Sequence, residues 1–224
     1  SEPYRVIAGT GDTYTWASAQ GTGTGATVGT EGGYRAPGMI RLLVVAVPYG
    51  TYVIPPSGFA EAGRAVDASG LTLILFSKTL QAGDPTSFSV AFSASVPYAV
   101  ASSTYRWQHP TTPWAGWAGS AGLDLSGPGG AAMATAPSVV PRDDTALVLR
   151  FLAARGAGTW TPPASYGRLR ANLPATEGGI ALLVFDPVYN DYRTPGPSGV
   201  EKAAFSGPVR TAGLTAALAP APPS

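Results

Sequence analysis

The chain of 224 residues has no cysteine and a single histidine, His109. The first absence excludes disulfides, thiolate metal sites and cysteine nucleophiles, and leaves the redox compartment open. The second excludes an HExxH zinc site and any centre built from several imidazoles. Charge is scarce too: charged residues make up 12% of the chain, with 14 Lys+Arg against 13 Asp+Glu. Such a balance gives no basic field to hold a phosphate backbone and no polybasic membrane patch, so nucleic acid is not an expected partner. No run approaches the roughly 20 apolar residues of a membrane-spanning helix, and the N-terminal SEPYRVIAG lacks a basic segment followed by an apolar one. Membrane insertion is not expected. A soluble monomer usually covers itself with more charge, and the shortage points to a surface that meets other protein.

Helical signals are missing as well, since no stretch joins a sustained helical period to caps at both ends. Glycine (29) and proline (22) approach a quarter of the chain, but 45% hydrophobic content excludes a disordered polymer. These residues punctuate many short strands. Phe88, Val90 and Phe92 alternate with Ser87, Ser89, Ala91 and Ser93, the period of a half-buried strand. Met39 to Val47 is almost wholly apolar, which predicts a strand buried on both faces, in mid-sandwich or at a subunit contact.

The chain also repeats itself. IRLLVVAVPYGTYVIPPSGF, from Ile40 to Phe59, is echoed by ALVLRFLAARGAGTWTPPASY, from Ala146 to Tyr166. Pro55-Pro56 and Pro162-Pro163 lie 162 − 55 = 107 positions apart, and Phe59 and Tyr166 keep that spacing. LTLILF, ending at Phe76, matches IALLVF, ending at Phe185, at 185 − 76 = 109. Ser95-Val96-Pro97 is set against Ser206-Gly207-Pro208 at 206 − 95 = 111. A near-constant offset across several side-chain types is the mark of an internal duplication. The expected fold is all-β: two related β-sandwich or jelly-roll-like lobes of about five strands each, with an N-terminal arm. The boundaries expected are an arm and Gly/Thr-rich connection at 1–33, a first lobe at 34–106 and a Trp/Gly/Pro-rich bridge at 107–135. A second lobe follows at 136–219 and a tail at 220–224.

Catalytic chemistry finds little support. No serine sits in a G-x-S-x-G elbow, the adjacent Asp143-Asp144 reads as a turn, and the GTGTG run lacks the βαβ setting of a dinucleotide loop. A glycosidase using distant carboxylates such as Asp124 and Glu177 is the residual enzymatic alternative. No catalytic, cofactor or metal-binding residue is expected. The contact candidates are aromatic: Tyr14 and Trp16 on the arm, and Trp107, His109, Trp114 and Trp117 on the bridge. The bridge cluster has two uses open to it, packing the lobes or a neighbouring subunit, or stacking on sugar rings.

The segments Ile54-Pro55-Pro56-Ser57-Gly58-Phe59 and Thr161-Pro162-Pro163-Ala164-Ser165-Tyr166, with Ala82-Gly83-Asp84-Pro85 ahead of Phe88-Ser89-Val90, resemble a β-sandwich module of tailed-bacteriophage and phage-like virion proteins. There the matching stretch runs close to TPPAGW. The resemblance covers about 40–105 and, more loosely, 147–218. It implies a non-enzymatic structural component on the exterior of a capsid or tail: a decoration, fibre or minor tail protein. Its partners would be other virion proteins, in a homo-oligomer, with the arm adding a strand to a neighbour. The alternative is a carbohydrate-binding adhesion module for host surface glycans.

Overall fold

A computed structural model describes residues 7–8, 16–29, 36–106, 108–142, 145–164, 167–186 and 196–221. They fold into antiparallel sheets that form two β-sandwich lobes. The first lobe contains β1 (Ile7–Ala8), β2 (Ala17–Val28), β3 (Ile40–Pro48), β4 (Val53–Ile54), β5 (Ala60–Asp67), β6 (Leu71–Thr79) and β7 (Phe88–Arg106). The second contains β8 (Trp114–Gly122), β9 (Ala132–Ala136), β10 (Leu147–Arg155), β11 (Trp160–Thr161), β12 (Arg168–Leu173), β13 (Ile180–Asp186), β14 (Glu201–Phe205) and β15 (Arg210–Leu218).

Both lobes use one strand order. The second has a large sheet β12-β13-β10-β15-β8 and a small sheet β11-β14-β9. In the first, the large sheet runs β5-β6-β3-β7-β2, and the small sheet is β4, the start of β7 and the end of β2. There, β2 and β7 each continue from one sheet into the other, whereas the second lobe divides the same path into β8 and β9, and β14 and β15. Gly25 marks the crossing of β2: its register shifts there, and a Cβ on Gly25 would lie 2.7 Å from the Val90 carbonyl oxygen.

Register fixes the equivalences. β3 and β10 correspond at 107, and their partners in β7 and β15 then correspond at 113, since Ile40 pairs with Tyr105 and Leu147 with Leu218. The offset of 109 between β6 and β13 agrees with Leu43 pairing Phe76 and Arg150 pairing Phe185. At 113, Ser206 corresponds to Ser93, not Ser95. The hydrogen bonds bear this out: Ser93 donates its amide to Tyr52 O and Ser206 donates to Thr159 O, each at 3.0 Å. The serine hydroxyls in turn accept from the Tyr52 and Thr159 amides, at 3.0 and 2.9 Å.

The all-apolar strands have a simple explanation. Leu43, Val45 and Val47 of β3 point into the first lobe with Ile74, Phe76, Phe88 and Phe92, while Leu42, Val44 and Ala46 point away from it. That second face meets Leu149, Phe151, Leu182, Val184, Leu214 and Leu218 of the other large sheet. Leu152, Leu183 and Phe185 face the second lobe's own core with Trp160 and Phe205. The two large sheets therefore pack face to face, and each small sheet covers the outside. Burial of a Leu or Val side chain stabilises by roughly 1.5–3 kcal/mol, and this interface buries a layer of them from each lobe.

Four expectations change. The bridge at 107–135 supplies β8 and β9, which are part of the second lobe's sheets. Its tryptophans hid this role, because small residues fill most of both strands. The arm is not a projecting segment over its described residues: Ile7–Ala8 pair with Arg106 and Tyr105, and Ala17–Val28 run along β7. Each lobe holds more than five strands, and the second face of β3 is buried between lobes of one chain, with no second subunit required.

Candidate functional site

The four described candidates, Trp16, His109, Trp114 and Trp117, do not form one cluster. Tyr14 and Trp107 lie outside the described residues, as do Asp143, Asp144 and Tyr166. Trp16 is buried between the lobes, its indole N–H donating to the Tyr105 hydroxyl at 3.2 Å and its ring edge-on to Phe151 at 5.6 Å. His109 lies beyond β7 at the surface, where its Nδ1 accepts from the Thr112 amide at 3.1 Å.

Trp114 and Trp117 share a face because β8 bulges between them: Gly116 pairs with Ala217, but the next pairing, to Leu218, falls on Trp114. That face looks toward the first lobe. The Trp114 indole donates to Ser77 Oγ of β6 at 3.0 Å. The Trp117 ring lies over Gly63 of β5, where a Cβ would meet it at 3.0 Å. Both side chains pack lobe against lobe, and only Trp117, 48% exposed, offers a surface to anything else.

A buried polar cluster escaped the sequence. Asp186, at the end of β13, accepts from Arg170 Nε at 2.7 Å and from the Tyr105 hydroxyl at 3.2 Å, while the Arg170 carbonyl accepts from the Trp16 amide at 2.9 Å. Burial pushes the Asp186 carboxyl above its ordinary value, against the pull of the Arg170 guanidinium. Burial first, and the Asp186 charge second, push the Tyr105 hydroxyl well up. Other polar ties cross the same junction: Arg210 to Asp67 at 2.9 Å, Arg155 Nη1 to Gly70 O at 2.9 Å and Gln20 Nε2 to Pro174 O at 2.6 Å. These groups position the lobes.

The residual enzymatic pair fares no better. Asp124 is held by the Ser126 amide at 3.0 Å and by Lys202 at 3.4 Å, with its carboxyl below the ordinary value chiefly through Ser126. Glu177 is exposed on the turn before β13. Among the described residues no group of three or more His, Asp or Glu side chains could hold a metal ion.

What remains is a surface. Residues 16–30, 42–60 and 85–105 contain no Asp, Glu, Lys, Arg or His. The fold brings part of each stretch to the outside of the first lobe: the end of β2, β4 with its flanking loops, and the start of β7. Tyr49, Tyr52 and Ile54 are exposed there, each at 50% or more, beside Thr27, Ser89 and Ala91. Thr27 and Ser89 hydrogen-bond across the strands at 2.7 Å, so the hydroxyls partly satisfy one another. Pro55-Pro56 end β4, because proline cannot donate to a further ladder, and Phe59 beyond them packs edge-on against Phe88 at 4.9 Å. An uncharged face of this kind suits contact with protein better than contact with bulk water.

No protein-family profile, curated protein or solved structure matches the chain.

Proposed function

We propose that the chain is a non-enzymatic structural component of a phage or phage-like particle, carried on the capsid or tail exterior and acting through protein–protein contacts. The observation that carries this reading is the uncharged outer face of the first lobe, with Tyr49, Tyr52 and Ile54 at its rim. The likeness of the two Pro-Pro segments to virion β-sandwich modules supplies the setting. Shared strand order, shared offsets and the matched Ser93 and Ser206 bonds support descent of both lobes from one duplicated jelly-roll unit. The apolar strands no longer argue for a subunit contact, since both their faces are filled within one chain. The homo-oligomer now rests on the outer face instead.

Glycan adhesion is the weaker reading. A platform needs its rings in one exposed plane, and Trp114 is tied into the lobe junction.

The test is co-purification. Particles banded on a density gradient from the source culture are probed with antibody against the chain. Co-banding at a fixed ratio to the major capsid or tail protein is the expected result. Loss of that association in a Tyr52→Lys/Ile54→Lys variant of unchanged melting temperature would place the contact on this face. Particles free of the chain would overturn the proposal.

A further inference from the structure

Sheet edges present unpaired N–H and C=O groups that template another strand, and proteins guard them with charge, proline or a covering segment. The two lobes treat their corresponding edges differently. At one point on each of β8 and β9 the chain covers its own edge: the Arg142 amide donates to Ala115 O at 2.9 Å, and the Met133 amide donates to Asp124 O at 2.7 Å. The second cover comes from extra residues. Ala118 corresponds to Ala17 at 101 and Ala136 to Val28 at 108, so seven more residues lie between β8 and β9 than within β2.

In the first lobe the corresponding edge is β2. Among the described residues β2 pairs with β7 alone, and no backbone hydrogen bond reaches its outer side from Ala17 to Val28. Its sequence, ASAQGTGTGATV, has no lysine, no proline and no charge. Ser18, Thr22, Thr24 and Thr27 are exposed along it.

We propose that β2 is the docking edge for a second copy of this chain, with the two β2 strands pairing antiparallel about a twofold axis. The unpaired backbone groups call for an extended strand as occupant. A twofold axis sets an edge against itself, so any charge near the axis would meet its like; β2 carries none. Its exposed threonines suit cross-strand hydroxyl pairs. A charged partner strand would find no counter-charge there. With the axis at Thr22, near the middle of β2, the antiparallel pairing sets the large-sheet part of one copy, from Ala17, beside the small-sheet part of the other. It deepens the assembly reading above by naming the surface and the partner, and borrows from that reading only the oligomer.

The cysteine-free chain makes the test direct. Ser18→Cys, Thr22→Cys, Thr24→Cys and Thr27→Cys are made singly in the full chain, with Glu177→Cys as control, and oxidised. An axis at Thr22 brings that position beside its own copy, so a disulfide-linked dimer is expected within the β2 set, at Thr22→Cys first, and not from the control. Sedimentation velocity should show a wild-type dimer that becomes a monomer in Thr22→Lys/Thr24→Lys, with the melting temperature unchanged. A wild-type monomer, a lysine variant that stays dimeric, or no cross-link at any β2 position overturns the pairing. A monomer that still bands with particles sinks this pairing and spares the particle reading; a β2-linked dimer absent from particles does the reverse.

Discussion

Trp16 and Trp117 occupy equivalent places in the two lobes and are used differently. Ala17 pairs with Ser102 and Ala118 with Thr215, and Ser102 and Thr215 correspond at 215 − 102 = 113, so the tryptophans preceding the two alanines correspond as well. Both reach toward the outer strand of the opposite large sheet, Trp16 beside Arg170 of β12 and Trp117 over Gly63 of β5. Trp16 is 2% exposed and hydrogen-bonded to Tyr105, whereas Trp117 is half open to solvent.

That difference sets their energetics. Trp16→Ala should destabilise the chain by about 3–5 kcal/mol, the range for removing a buried tryptophan. Trp117→Ala should lose only about 1–2 kcal/mol, less than a fully buried large side chain contributes. Guanidinium unfolding of both variants checks the order, and equal losses would contradict it.

The arm is structural over its described part. Deleting 1–20 removes Trp16 from the lobe junction and the first four residues of β2. The truncated chain should melt far below wild type or fail to fold. A truncated chain with wild-type melting would show that the junction does not depend on this segment.

Two glycines mark close approaches that no side chain can enter. A Cβ on Gly213 would lie 1.8 Å from Thr135 O, where β9 crosses β15, and one on Gly119 would lie 2.6 Å from Arg64 O, where β8 meets β5. Backbone oxygens cannot swing aside. Gly213→Ala and Gly119→Ala should each destabilise by about 1–3 kcal/mol or more through overpacking, read by thermal melting. At Gly178, where nothing lies within 4 Å but φ is +74°, alanine should be penalised by backbone strain alone.

Asp186 gives a pH signature of unusual sign. Burial raises its folded pKa above that of an ordinary carboxylate, so the stability it contributes is full below the ordinary value and declines as pH rises through the folded pKa. The stability of wild type minus that of Asp186→Asn should therefore fall between acid and neutral pH. Other carboxylates cancel in the difference. A difference that grows with pH would mean that the Arg170 contact outweighs burial.

The large apolar strands were legible because runs such as Leu42–Val47 and Ile180–Phe185, apolar at every position, admit few other readings, and the Pro-Pro pairs set the repeat at an offset of 107. β2, β8 and β9 were not legible. Glycine, alanine and threonine fill them, so alternation of size and polarity is weak, and their burial depends on what packs over them. The dipeptides Trp16-Ala17 and Trp117-Ala118 carry a signal, but their offset of 101 departs from the 107 to 109 that relates the apolar strands. Asp186 and Arg170 meet through the β12–β13 pairing, whose bulge beside Arg170 cannot be counted from sequence. The uncharged face was visible only as a low overall charge, since three separated stretches build it.

Face-to-face packing of the two lobes into one body is the claim on which the rest depends, and differential scanning calorimetry of wild type beside Leu152→Ala tests it most directly. Leu152 faces only the second lobe's own core. The account predicts one cooperative transition in both proteins, with the whole of it shifted down in the variant. Two transitions, of which Leu152→Ala moves only one, would show lobes that fold independently and would contradict the shared interface.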